Sequence, residues 1–210
     1  MLAVSDHLIA RIGARLLSHP EPVDDEGAFM PDWMPDEPFN QPPVPAAVLI
    51  ALVRRQRSYS VLYTERSATL RNHSGQIAFP GGKIDATDTD AAAAALREAN
   101  EEVALPPEEA RVIGYLPNYF TGTNYLITPV VAEVLPSRPF QPNPGEVESV
   151  FEVPLELLID EASYLTMRIT RAGVEHTTWQ IDYEGRRIWG ITANLTRRFY
   201  DLALAGEHRW

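Results

Sequence analysis

The chain has 210 residues, 45% of them hydrophobic and 22% charged, with 29 Asp and Glu against 18 Lys and Arg and a formal net charge of −11. That length suits one sizeable domain with extensions, and the acidic balance argues against a broad basic surface for nucleic acid. No cysteine occurs, which excludes disulfides, thiolate metal sites and a cysteine nucleophile and is compatible with a reducing, cytoplasmic compartment.

Taken in chain order, residues 5–18 place Leu8, Ile9, Ile12, Leu16 and Leu17 on one helical face, predicting a docked N-terminal helix. This start lacks the apolar core and cleavage site of a signal peptide. The longest apolar run, residues 44–53, is too short to cross a bilayer. Residues 19–45 are rich in Pro, Asp and Glu and read as an extended arm around the domain or a partly mobile linker. The expected division is therefore a helix and acidic arm over residues 1–45 and a main domain over residues 46–210.

Within that domain, residues 46–53 and 58–65 read as strands. A loop follows to Pro80, and Phe79-Pro80-Gly81-Gly82-Lys83 reads as a tight turn ahead of a helix. Asp88 to Asp90 supply N-cap residues for that helix, which runs to about Val103. Residues 111–116, 125–134 and 147–153 are further strands, and 155–161 a short helix. Residues 174–183 and 187–191, split by Glu184-Gly185, form a hairpin, and 192–205 a final helix with Leu195, Phe199, Leu202 and Leu204 on its inner face. Strands on both sides of one central helix predict an α+β fold rather than regular βαβ alternation.

The central helix poses a chemical question. It ends in Arg97-Glu98-Ala99-Asn100-Glu101-Glu102-Val103. Glu98 and Glu102 stand at i, i+4, with Glu101 beside them. Like charges at that spacing repel, and carboxylates near a helix C-terminus also oppose the macrodipole. A solvated face accommodates such a cluster; so does a hard divalent cation such as Mg²⁺ or Mn²⁺, which takes oxygen ligands. The two glycines upstream let backbone approach a ligand and present a carbonyl, and Lys83 adds a cation. Carboxylates and a carbonyl would then hold the metal, with phosphate oxygens in the remaining positions.

Residues 82–105 resemble the Nudix box, G-x5-E-x7-R-E-U-x-E-E-x-G-U, where U is aliphatic. Asp88 stands for the first Glu, one extra residue precedes Arg97, and Ala104 replaces the glycine after the helix, so the turn there is expected to differ. Upstream, Leu62-Tyr63-Thr64-Glu65-Arg66-Ser67, Arg71, Gly75 and Phe79-Pro80-Gly81-Gly82 are similar to L-L-T-x-R-[SA]-x3-R-x3-G-x3-F-P-G-G. That signature marks the coenzyme A pyrophosphatase branch of Nudix hydrolases, and its one departure is Tyr63. Segments at Gly114, Ile127 and Glu146 look like the same branch.

The resemblance implies a Nudix fold, a mixed β-sheet sandwiched between α-helices. It implies metal-dependent cleavage of the diphosphate of coenzyme A or its thioesters, giving 4′-phosphopantetheine or its acyl form and adenosine 3′,5′-bisphosphate. The rivals are another nucleoside diphosphate derivative such as ADP-ribose, or a catalytically silent nucleotide-binding domain. Glu98, Glu101, Glu102 and the Gly81 carbonyl are the implied metal ligands, for Mg²⁺ or Mn²⁺. Glu98, Glu102 and Glu146 are the catalytic candidates, with Glu98 and Glu146 as alternative general bases. Arg66, Arg71 and Lys83 are the substrate-binding candidates, because a guanidinium matches phosphate oxygens bidentately. Arg66 has a structural alternative, an ion pair with a helix carboxylate, and Arg97 reads as a positioning residue for the glutamates. Phe120 and Tyr125 read as packing, with adenine stacking as the alternative. The partner implied is a small molecule of coenzyme A type, with no nucleic acid and no membrane, and a homodimer is left open.

Overall fold

The computed structural model describes residues 3–22, 39–56, 58–68, 75–171 and 173–206. Helix α1, Ala3–Gly13, buries Leu8, Ile9 and Ile12. It stops five residues short of the helix expected over 5–18. The chain turns after Gly13 so that Leu17 and Tyr115 can exchange backbone hydrogen bonds of 3.0 and 2.9 Å. Two more main-chain bonds to a sheet outweigh a further helical turn in which most groups face water.

The strands follow in order: β1 Val44–Arg55, β2 Ser58–Arg66, β3 Ile77–Ala78, β4 Gly81–Lys83, β5 Ala110–Tyr115, β6 Tyr119–Phe120, β7 Tyr125–Val134 and β8 Val147–Pro154. Among the described residues these eight form one mixed sheet. β1 runs parallel to β7, from Val44 beside Tyr125 to Val53 beside Val134. β2 lies antiparallel to β1 and to β8, and β5 antiparallel to β7. The parallel pair sits at the centre, covered on both faces, which explains why β7 is buried along nearly its whole length rather than alternating.

The pleat of β1 divides the core in two. Ala47, Leu49, Ala51 and Val53 face helix α2, Ala91–Val103, and pack with Ala94, Ala95, Ala99 and Val103. Ile50 and Leu52 point the other way, into a cluster with Val61, Tyr63, Val131, α1 and the C-terminal helix. Alanines on the buried face of α2 carry no bulk, so the helix can lie close to the sheet. The sheet is thus sandwiched between helices, an α+β arrangement as expected.

A second sheet of three strands, β9 Leu165–Arg171, β10 Val174–Tyr183 and β11 Arg186–Trp189, lies on the far side. β10 and β11 are the expected hairpin. β9 was not expected, although Leu165, Met167 and Ile169 alternate with polar residues; the alternation is short and abuts a helical turn. Between β8 and β9 stand α3, Leu155–Leu158, and a short 3₁₀ turn. Ile191, expected at the end of β11, instead opens α4, Ile191–Phe199. The expected helix then widens into a π turn, Tyr200–Leu204. That change of pitch turns Leu202 out to 41% exposure while Ala203 and Leu204 are buried.

Candidate active site on the second helix

Local chemistry starts α2 as expected. The Asp90 side chain caps it, accepting a 2.8 Å hydrogen bond from the Ala93 N–H. At the other end Ala104 takes the left-handed conformation, φ 54° and ψ 36°, and its N–H bonds back to Ala99 and Asn100 carbonyls. The expected departure of this turn therefore does not occur: alanine adopts the glycine geometry, at a steric penalty of about 1–2 kcal/mol. The exposed helix carbonyls are met by the loop before β8. Gln141 N–H donates to Val103 O at 3.0 Å and Asn143 N–H to Glu102 O at 2.9 Å.

The three helix glutamates differ sharply in setting. Glu101 is exposed, with 51% of its side chain accessible, and Glu98 is half-buried. Glu102 is only 3% exposed. One Glu102 oxygen accepts the Gly81 N–H at 3.3 Å, and the other lies 3.9 Å from the Arg66 guanidinium. Burial, with the negative charges of Glu98 and Glu146 adding to it, pushes the Glu102 carboxyl up to about 8 against the Gly81 hydrogen bond and Arg66. Glu98 is also pushed up, first by burial, though Arg97 opposes this. Both carboxyls are held where too little positive charge reaches them.

Arg97 is a positioning residue. It forks onto both Asp88 oxygens at 2.9 Å, donates to Glu98 at 2.9 Å, reaches Glu101 at 3.5 Å, and bonds the Lys83 carbonyl at 3.1 Å. The hydrogen bond from Arg97 holds the Asp88 carboxyl below the usual carboxylate range. Asp88 therefore anchors the loop to the helix through Arg97, a pairing the sequence reading did not name. The extra residue before Arg97 lies between these two anchors, and a shorter acid than Glu suits this contact.

Gly81 and Gly82 lie in β4, paired with Val48 and Ala47, not in a free turn as expected. The turn is strand because its backbone fills the wedge where β2 leaves β1. A Cβ on Gly82 would stand 2.5 Å from the Glu98 carboxyl carbon, and one on Gly81 would stand 2.7 Å from the Val48 Cα. Glycine lets the Glu98 carboxylate rest against main chain.

Glu146 joins the same corner. Its carbonyl accepts the Ser67 N–H at 2.9 Å, next to Arg66, while Asn143 ties the loop to Glu102. Arg66 and the helix carboxylate do meet, so the ion-pair reading of Arg66 is realised. Its Nε is nevertheless buried with no hydrogen-bond acceptor among the described residues, a position a phosphate oxygen would satisfy. Lys83 has an exposed side chain and, among the described residues, no ion pair. Arg71 lies outside the described residues. Phe120 meets Phe39 edge-on at 5.7 Å, and Tyr125 packs on the core. The signature's one departure, Tyr63, is fully buried between Phe79 and Phe151, with its hydroxyl 3.0 Å from Thr196 Oγ1 on α4.

Among the described residues no three acids or histidines are drawn into a finished metal cage; Arg97 holds Glu98 and Glu101 to itself. The donor set still fits a hard divalent cation. It consists of carboxylate oxygens around glycine backbone, and the pushed-up carboxyls mark a corner short of positive charge.

The NUDIX domain profile matches residues 43–171. A protein named uncharacterized Nudix hydrolase NudL, from Escherichia coli K12, is 47% identical over 159 residues, 76% of this chain and 81% of its own length. Its namesake from Salmonella paratyphi B is 45% identical over 159 residues. Among solved structures, DR0079 from Deinococcus radiodurans is 18% identical and covers 75% of this chain and 83% of its own, with a TM-score of 0.49.

Proposed function

This chain belongs to the Nudix hydrolase family, and from that premise we propose that it hydrolyses the diphosphate of coenzyme A or acyl-coenzyme A with Mg²⁺ or Mn²⁺. One observation carries the reading. Arg66 and Gly81, two residues of the segment that resembles the coenzyme A signature, both contact Glu102 of the carboxylate helix. The signature and the metal-binding motif therefore meet at one corner.

Glu98, Glu101, Glu102 and the Gly81 carbonyl would hold the divalent cation. When bound, it supplies neutralisation of diphosphate oxygens and acidifies a coordinated water. Arg66 offers its guanidinium to a phosphate oxygen, and Lys83 and Arg71 add charge for the remaining phosphates. A carboxylate, Glu98 or Glu146, takes the proton of the attacking water. A new bond forms from that water oxygen to phosphorus. The bridging P–O bond breaks, and its electron pair leaves on the departing phosphate. Arg97 keeps Glu98 and Glu101 aligned from behind.

The test is direct. Pure protein is incubated with coenzyme A and Mg²⁺ or Mn²⁺, with a chelator control, and products are identified by mass spectrometry. Metal-dependent 4′-phosphopantetheine is the expected product. Intact coenzyme A beside cleavage of ADP-ribose would move the activity to another diphosphate. No cleavage across a panel of nucleoside diphosphate derivatives would leave a silent binding domain.

A further inference from the structure

On the α4 side of β3 lies a cavity of about 500 Å³, within the range of small-molecule sites. It is bounded by β3, β6, the second sheet and the first turn of α4. Gly190, at φ +65°, makes the abrupt passage from β11 into α4. The floor is a closed hydrogen-bond network. The Thr192 hydroxyl donates to the Ile77 carbonyl at 2.9 Å. The Asn194 side-chain oxygen accepts from the Thr178 hydroxyl at 2.9 Å and the Trp179 N–H at 3.1 Å, while its amide donates to the Tyr119 hydroxyl at 3.1 Å. Such a floor is fixed before anything binds.

The walls carry no Asp, Glu, Lys or Arg among the described residues. They combine apolar surface, including Ile169 and Trp189, with threonine hydroxyls. Trp189 stands 37% exposed at the rim. The cavity wall is tied through main chain to the corner that holds Arg66. Gln76, on its wall, accepts the Arg66 N–H at 2.9 Å. Ile77 precedes Gly81 by four residues, so their main chains are at most about 14 Å apart. β3 is an edge strand, with the carboxylates on one side and the cavity on the other.

We propose that this cavity receives the uncharged pantetheine arm of the substrate, with any acyl group, and excludes the adenosine bisphosphate half. The proposal rests on the coenzyme A reading. A phosphate dianion entering walls that hold no Lys or Arg among the described residues would lose its hydration without gaining a guanidinium or ammonium partner. The pantetheine arm carries amides and a hydroxyl, which the threonine hydroxyls can partner, and methyl, methylene and thiol groups, which the Ile and Trp surface covers. The cavity thus sets which end of coenzyme A enters, and the acyl chains accepted are those that fit beside Ile169.

The full chain is titrated with pantetheine and, separately, with adenosine 3′,5′-bisphosphate, following tryptophan emission, with Trp189→Phe as the blank. Expected is a saturable change with pantetheine that Trp189→Phe abolishes, and none at Trp189 with the bisphosphate. Ile169→Trp, or Thr177→Trp should the first fail to fold, fills the cavity. It should weaken pantetheine binding about tenfold or more and raise KM for coenzyme A with kcat held within about twofold. A Trp189 response to the bisphosphate, or none to pantetheine, overturns the assignment. Cleavage of coenzyme A without a Trp189 response removes the cavity and keeps the function. A pantetheine response in a protein that leaves coenzyme A intact supports the cavity and removes the function.

Discussion

The two faces of the sheet solve opposite problems. On the α2 face, alanines bring helix and sheet close, and Glu98, Glu102 and Glu146 crowd a corner where Arg97 meets Glu98 and Arg66 lies 3.9 Å from Glu102. On the α4 face, Tyr63, Phe199 and other large side chains fill the core, and a hydroxyl-lined cavity without Asp, Glu, Lys or Arg among the described residues opens beside β3. The first face concentrates unfavourable charge, which a divalent cation and a diphosphate would relieve. The second removes charge almost entirely and relies on shape and hydrogen bonding. On the proposed reading, β3 stands between the corner that would do the chemistry and the cavity that would do the recognition.

The contrast can be broken most severely at Glu102. Glu102→Gln keeps the shape and the Gly81 contact but removes the ionisable carboxyl that would hold the cation. Turnover should fall by about two to four orders of magnitude, with an unchanged circular dichroism spectrum. Near-normal activity in a folded Glu102→Gln protein would sink the metal-site assignment.

Gly82→Ala comes next. Its methyl would displace the Glu98 carboxylate from β4. The expected outcome is a stability loss of about 1–3 kcal/mol, read by urea unfolding, and activity reduced about tenfold or more in protein that remains folded. The same substitution leaves the far cavity alone, so pantetheine binding should persist.

Arg71→Ala tests the charged half of the substrate. If Arg71 reads the 3′-phosphate, KM should rise about tenfold for coenzyme A and little for dephospho-coenzyme A. Equal changes in both would remove Arg71 from that role.

The smallest effect is expected where buried charge is structural. Burial pushes the Glu133 carboxyl up, but hydrogen bonds from Tyr59 (2.7 Å) and Arg111 (2.6 Å) outweigh it and hold the group below its ordinary value. A depressed carboxyl stabilises the fold above its unfolded pKa and loses that contribution as pH falls. Stability should therefore drop below about pH 4.3. Tyr59→Phe should cost about 1 kcal/mol at neutral pH, with less further loss on acidification, which unfolding curves at pH 7 and pH 4 would reveal.

Much of the fold was legible because local patterns carry it. Continuous apolar runs located β1 and β7, shorter strand-like runs located β2, β8 and the β10–β11 hairpin, and an Asp cap with an alanine run located α2. Where the reading failed, a tertiary contact had overridden a local pattern. Leu17 left the first helix to pair with Tyr115, Gly81 became strand because β1 and β2 diverge, and the π turn rotated Leu202 outward. The corner was legible as residue types at fixed spacing. The Arg97–Asp88 pairing was not, because Asp88 stands in the loop before the helix and Arg97 nine positions on, within α2.

The sequence by itself determined the elements, the carboxylate cluster, and its resemblance to a family of diphosphate hydrolases, since these depend on spacing within a few residues. Only the tertiary structure decided that Arg66, Gly81 and Glu146 converge on Glu102, and that β6, the second sheet and α4 bound a hydroxyl-lined cavity. Those contacts join residues 21 to 115 positions apart, and at such separations proximity is set by how layers pack, not by any local preference of the chain.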